Sequence, residues 1–288
     1  MTKENILITG ANGQLGTELS RILPNAILTD YQYLDITKFD SVREFVEKNN
    51  VDTIVNCAAY TAVDDAEDNY GKACEINALG PKNLAKTSCK IVHISTDYVF
   101  NGNKVSPYST VDDPNPLSVY GETKRFGEMN VMQNSKNYVI IRTSWLYSPY
   151  GKNFVKTMRN LGATRKEITV VDDQYGFPTY AADLANAIVQ IIPQMKVEKS
   201  GIYHYQNTGK DTNENLNGVS WFDFATEIMK QSKLNCRVNP ITTSEYPTRA
   251  VRPKYSVLDT SKIQRTFGIN IPLWKNALRR CIREIERQ

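Results

Sequence analysis

The chain is poor in several things that would each define a function class. Only two histidines, His93 and His204, occur in 288 residues, which leaves little for a histidine-built metal site or a Ser-His-Asp triad. Its five cysteines (57, 74, 89, 236 and 281) are an odd number without C-x-x-C spacing, which argues against a disulfide framework and a zinc site alike. No apolar run approaches the roughly 18 residues of a membrane span, and no signal-peptide pattern precedes the first apolar strand. A cytoplasmic, membrane-free protein is expected. Basic residues never run five together, and the net charge is only +4, so nucleic acid is not an expected partner. Internal repeats and low-complexity tracts are also lacking.

What remains is an ordinary globular composition, 41% hydrophobic and 23% charged, long enough for one large α/β unit or two intimate domains. Short apolar runs alternate with longer amphipathic segments over the first 145 residues, the pattern of βαβ units on a parallel sheet. Strands are expected at Asn5–Thr9, Ala26–Thr29, Asp52–Asn56, Lys90–Ser95 and Tyr138–Thr143, with helices near 14–23, 39–49, 71–88 and 116–134. Beyond that point the rhythm loosens, with helices expected near 151–162, 180–192 and 219–232 and a polar surface loop at Asp211–Gly218. Leu273–Gln288 carries an apolar stripe at helical spacing. The predicted organisation is a dinucleotide-binding half over 1–145, to which parts of 165–193 and 217–232 return, and a smaller substrate lobe over 146–288.

Gly10, Gly13 and Gly16 follow the first strand and open a helix, in the stretch Gly10-Ala-Asn12-Gly13-Gln14-Leu15-Gly16. Glycines let the chain turn sharply while a pyrophosphate approaches the backbone, and the helix N-terminus offers unpaired N–H donors to its charge. Asp30 ends the second strand, where a carboxylate accepts from adenosine ribose hydroxyls. Such a carboxylate repels a 2′-phosphate and leans toward NADH; no basic residue lies between Asp30 and Thr37 to favour NADPH. Asp35 and Ile36 would hold the adenine edge or simply form a loop. Ala58, Ala59 and Tyr60, with small side chains ending the third strand, suit either a cofactor lying on the backbone or a close-packed helix.

The fourth strand ends at Ser95-Thr96-Asp97-Tyr98, at the carboxyl edge where open α/β sheets bind ligands. Tyr120 and Lys124 follow at i and i+4, one face of a helix. With 16 Tyr in the chain that spacing would arise by chance roughly once, so its position behind the glycine loop and Thr96 is what carries weight. Hydride transfer to a ketone builds charge on its oxygen, so a hydroxyl (Thr96) and a phenol (Tyr120) can position and protonate it. A nearby ammonium (Lys124) would lower the phenol's pKa and also reach the nicotinamide ribose.

These residues, together with VNCAAYTAVDDAE, STDYVFNG, YGETK, RTSWLY, NFVKTM, DDQYGFPT and YPTRAVRP, resemble the extended short-chain dehydrogenase/reductases and, within them, the dTDP-4-dehydrorhamnose reductase family. The resemblance covers nearly the whole chain. It implies a Rossmann-type doubly wound sheet with a smaller C-terminal substrate-binding lobe and a catalytic set of Thr96, Tyr120 and Lys124. It also implies NADPH or NADH as hydride source and a dTDP-linked 4-keto-6-deoxysugar whose C4 ketone is reduced. By the same carry-over Asp97, Tyr98 and Trp145 touch the sugar or nucleotide, Gln174 and Tyr175 shape the pocket, and Arg252 meets the diphosphate through its guanidinium fork. Some members are dimers bridged by a metal held by glutamates. Here Glu18 and Glu284 match those positions, but Ala182-Asp183 displaces the remaining carboxylate by one residue, a turn of about 100° on a helix. Mg2+ is therefore not expected, and a monomer or weak homodimer is. A nucleotide-sugar epimerase or 4,6-dehydratase would share the glycine loop and the Tyr/Lys pair; a non-catalytic regulatory subunit would share the glycine loop, and the intact Thr96, Tyr120 and Lys124 argue against it.

Overall fold

A computed structural model of the chain describes residues 4–209 and 218–288, so the polar loop expected at Asp211–Gly218 lies, Gly218 apart, outside the described residues. Six parallel strands form the central sheet: β1 (Ile6–Thr9), β2 (Ile27–Thr29), β3 (Thr53–Asn56), β4 (Lys90–Thr96), β5 (Tyr138–Thr143) and β6 (Gly201–His204). Their spatial order is β6-β5-β4-β3-β1-β2. The chain goes outward from β1 to β2 and then returns to β3 on the other side, so a crevice opens between the carboxyl ends of β1 and β3. The register carries this through the sheet: Thr9 pairs with Asn56, Asn56 with His93, and Thr96 with Thr143.

Both faces of the sheet are covered, which is why its strands read as apolar runs rather than as an alternation. Ile8, Val55, Val92, Val139 and Ile141 face helices α1 (Gln14–Ile22) and Ala181–Ile191. Leu7, Ile54, Ile91 and Ile140 pack on the other side, against α2 (Phe39–Lys48) and the helical stretch over 70–85. Ile54 and Ile91 are fully buried, and each such side chain contributes about 1.5–3 kcal/mol.

The helix expected at 71–88 is helical over 70–85 but contains a π turn at Glu75–Leu79. That turn carries the fully buried Asn77, whose amide accepts from the Tyr60 N–H at 2.8 Å and donates to the Tyr60 carbonyl at 3.2 Å and Thr123 Oγ1 at 3.1 Å. The helix carrying Tyr120, here α3 (Val119–Asn134), starts three residues later than expected. Ser118 caps it by accepting from the Gly121 N–H at 3.2 Å, and Pro114 and Pro116 precede it in extended chain.

Strand β6 has no counterpart in the sequence reading. Gly201-Ile-Tyr-His204 is short, begins with glycine and ends with a fully buried histidine, so neither alternation nor an apolar run marks it. Its partner is β5, more than 60 residues earlier. Residues 181–191 return to the sheet face through α1, whereas the helix Trp221–Gln231, expected to return as well, packs in the second core instead. That core joins Phe154–Thr164, Trp221–Gln231 and Trp274–Arg287 over a parallel two-stranded ribbon of Glu167–Val171 and Arg237–Ile241. No helix among the described residues is long and apolar enough to cross a membrane.

Candidate active site

A crevice of about 1150 Å³ runs along the carboxyl edge of the sheet, from Asp30 at one end to Trp145 at the other. The candidate cofactor, catalytic and substrate residues all line it except Tyr60, Gln174, Tyr175 and Arg252. The glycine loop is shaped by backbone contact. Gly10 has φ +66°, and a Cβ there would lie 2.6 Å from the Ala58 nitrogen; a Cβ on Gly16 would lie 2.3 Å from the Gly10 carbonyl oxygen. Only glycine allows the loop after β1 to nest against the end of β3 and enter α1. Asn56 locks this junction. Its Oδ1 accepts from Thr9 Oγ1 at 2.7 Å and the Ala58 N–H at 3.2 Å, and its amide donates to His93 Nδ1 at 3.0 Å. That bond assigns the His93 proton to Nε2; burial holds the ring neutral, well below its ordinary pKa. His93 is thus a core histidine.

At the Asp30 end, the Asn12 amide donates to Asp30 Oδ2 and the Gln32 N–H to Asp30 Oδ1 at 3.0 Å. Asp35 Oδ1 accepts from both the N–H and the hydroxyl of Thr37. Gln14 Oε1 and Asp97 Oδ2 are buried without a hydrogen-bond partner among the described residues, and both residues line the crevice. Unpaired buried acceptors in a large recess fit a polar ligand that supplies donors. The glycine cradle and these acceptors fit a dinucleotide.

The middle of the crevice holds the acid–base group. Thr96 Oγ1 donates to Asp97 Oδ1 at 3.1 Å and accepts from the Tyr98 N–H at 3.2 Å, and its hydroxyl is near enough to the Tyr120 phenol to influence its pKa. Tyr98 and Tyr120 meet edge to face with ring centroids 5.4 Å apart. Lys124 is buried, and its Nζ donates to the Ile94 carbonyl at 2.6 Å. Burial lowers its pKa to about 8, with Glu128 and Cys57 pulling the other way.

The expected lowering of the Tyr120 pKa is not what the structure gives. Burial pushes the phenol up to about 12, with the Thr96 hydroxyl opposing and the Asp97 carboxylate adding to the rise. Lys124 gives one of its three N–H donors to the Ile94 carbonyl and is not among the groups that shift Tyr120. A phenol held protonated across the neutral range is a fitting proton donor to a nascent alkoxide, which is the more basic partner. Asp97 itself is raised to about 6 by burial, against hydrogen bonds from Ser256 and Thr96.

Glu128, four residues past Lys124, escaped the sequence reading although its spacing was visible. Arg142 of β5 grips its carboxylate with two bonds of 2.7 Å, Ser95 of β4 donates at 2.6 Å, and Arg125 at 2.9 Å. Burial would raise its pKa, but the Arg142 fork overcomes this and holds the carboxyl below the ordinary range. The network ties the helix of Tyr120 and Lys124 to the strand that ends in Thr96.

Trp145 at the far end has φ +48°, a conformation that costs a bulky residue strain and recurs at ligand sites. Its ring stacks on Trp221 at 3.7 Å, and a Cβ on Gly176 would lie 2.8 Å from it. Arg252 lies beside this end rather than lining it. Its Nη2 pairs with Asp64 Oδ2 at 2.8 Å, and its charge reaches the Tyr98 phenol. Asp64 also accepts from the Ala250 N–H at 3.1 Å, and Asp68 pairs with Arg249, so the 249–252 loop is latched onto the segment after β3. Gln174 is not brought to the crevice; it is buried and donates to Thr243 Oγ1 at 3.1 Å, while Tyr175 next to it is exposed. Tyr60 offers only its backbone, which Asn77 occupies. Lys38, Lys72 and Lys152, none of them anticipated, do line the crevice.

The carboxylates at the expected metal positions are already engaged within the chain. Arg280 grips Asp183 with two bonds of 2.7 Å, Arg21 pairs with Glu284 at 3.0 Å, and the buried Glu18 accepts from Ser148 Oγ at 3.1 Å. No group of three or more His, Cys, Asp or Glu among the described residues is placed to hold an ion, and this donor set does not fit a divalent metal.

The family profile described as the RmlD substrate binding domain matches residues 4–287. A dTDP-4-dehydrorhamnose reductase of Aggregatibacter actinomycetemcomitans is 41% identical over 292 residues, covering 95% of this chain and 97% of that protein. The chain belongs to the dTDP-4-dehydrorhamnose reductase family. Solved structures agree with this. A member from Clostridium acetobutylicum superposes with a TM-score of 0.92 at 43% identity, covering 98% of this chain and 99% of that one. A member from Bacillus anthracis, in complex with NADP, gives 0.90 at 41% identity, covering 98% and 100%. The fold is the family's Rossmann-type one, and the chain is an NAD(P)H-dependent oxidoreductase.

Proposed function

We propose that the chain reduces the C4 ketone of dTDP-4-dehydro-L-rhamnose to dTDP-L-rhamnose, in the cytoplasm, as a step of nucleotide-sugar biosynthesis. One observation carries the reading: Thr96, Tyr120 and Lys124 open together onto the crevice that also holds the glycine cradle. In this proposal residues 1–145 bind the dinucleotide and 146–288 provide most of the sugar side, and the working unit is a monomer or weak homodimer without a metal. A bound reduced nicotinamide supplies the hydride. Thr96 Oγ1 turns its one proton from Asp97 Oδ1 to the ketone oxygen and fixes it. Tyr120 gives its phenolic proton to that oxygen as negative charge develops. The Lys124 ammonium, which lines the crevice and has N–H donors beyond the one given to Ile94, then stabilises the phenolate. Tyr98 and Trp145 supply flat amphipathic faces for the sugar and base, and Arg252, braced by Asp64, offers its remaining donors to the diphosphate.

The test is cofactor oxidation against a panel of 4-keto nucleotide sugars, with dTDP-4-dehydro-L-rhamnose first. One equivalent of NADPH or NADH consumed per product is expected. No consumption with any of them, or product formed without net consumption, would point instead to a regulatory subunit or to a self-recycling epimerase or dehydratase.

A further inference from the structure

Besides Lys124, three lysines line the crevice, Lys38, Lys72 and Lys152, and none of these three has a side-chain partner among the described residues. Lys38 is the one at the end formed by Asp30, Tyr31 and Asp35. It is exposed, it sits at the N-cap of α2, and its backbone N–H is spent on the Asp35 carbonyl at 3.1 Å while the ammonium is left free. The acidic neighbours are all committed: Asp30 to Asn12 and Gln32, Asp35 to Thr37, and Asp40 to Arg43 at 3.1 Å. Two of the roughly four acceptor positions of the Asp30 carboxylate are thus taken.

We propose that Lys38 selects the 2′-phosphorylated dinucleotide, NADPH over NADH, by pairing its ammonium with the 2′-phosphate. This rests on the crevice being the cofactor site. The 2′-phosphate is the only chemical difference between the two cofactors, and it belongs to the adenosine ribose, the part expected at the Asp30 end. An ammonium in contact with the phosphate outweighs carboxylates held farther off by their own hydrogen bonds, because the Coulomb term falls with distance. The ten-residue helix that begins after Lys38 points its N-terminal N–H groups the same way and favours an anion. Lys152, by contrast, follows Gly151, which packs against Gln14 of the glycine loop, so it serves the part common to both cofactors.

Dissociation constants for NADPH and NADH, read from nicotinamide fluorescence without any sugar substrate, test this in the intact protein and in Lys38→Ala and Lys152→Ala. The wild type should bind NADPH at least about 10-fold more tightly, the worth of one charge-assisted contact. In Lys38→Ala that ratio should collapse toward one, and adenosine 2′,5′-bisphosphate should lose its advantage over ADP as a competitor. Lys152→Ala should weaken both cofactors by a similar factor and keep the ratio. A ratio near one in the wild type, or one that survives Lys38→Ala, overturns the proposal. Failure of the wild type to bind either cofactor would sink the reading of the crevice itself, and so is told apart from failure of Lys38.

Discussion

At the Asp30 end of the crevice the walls are mostly backbone; at the Trp145 end they are side chains. Gly10, Gly16 and Ala58 take their places because β1 and β3 are adjacent in register, so the sheet ladder itself builds the cradle. Tyr98, Trp145 and Arg252 come from three separate connections and are held by an edge-to-face tyrosine pair, a tryptophan stack and an aspartate latch. The first end is rigid and tolerates no added atoms. The second can be retuned one side chain at a time, as a site that must distinguish one sugar from another requires. Thr96, Tyr120 and Lys124 lie where the two ends meet.

If the ends are separable, substitutions should sort by end. The largest effect belongs to the junction: Tyr120→Phe keeps the ring and removes the proton donor, so turnover should fall at least about 10²-fold while cofactor affinity is kept. Gly10→Ala forces a Cβ into the Ala58 backbone at φ +66° and should cost about 1–3 kcal/mol, read as weakened NADPH binding and a lower Tm. Unaltered NADPH affinity in that variant would break the backbone account of the Asp30 end.

Next comes the buried Asp97, whose pKa is raised to about 6 in the folded protein, against about 3.9 in an unfolded chain. Between these values the native state binds more protons than the unfolded one, so stability from this group is full below pH 4 and is lost as pH rises through 6. Asp97→Asn should remove the loss. Its stability relative to wild type in urea should be higher at pH 7 than at pH 4, by about 2 kcal/mol; no change between the two pH values would contradict the burial argument. The smallest effect is that of Arg252→Ala, which should raise KM for the nucleotide sugar about 10-fold and spare cofactor affinity. Equal damage to both constants would mean that the two ends are not independent.

The same contrast decides what could be read from the sequence. Five of the six sheet strands, the glycine loop and the Tyr120–Lys124 pair are local patterns, set by strand burial, φ requirements and helix periodicity. Strand β6 and the clamp of Asn77 on Tyr60 depend on partners far along the chain, and nothing local marks them. Resemblance to the family places Gln174 in the pocket, yet packing against the 243–256 loop turns it inward. Lys38 lay one position beyond the stretch searched for a basic residue. Glu128 was within reach, since a third member at the same four-residue spacing as Tyr120 and Lys124 shares their helix face.

The central claim is that hydride from added cofactor ends on the sugar's C4 carbon in this crevice. The most direct test incubates the protein with dTDP-4-dehydro-L-rhamnose and NADPH deuterated at the transferable position, then locates the label in the product by NMR. A single deuterium at C4, with one cofactor oxidised per product and the label absent with Tyr120→Phe, is the predicted result. Unlabelled product, or label that returns to the cofactor, would contradict it.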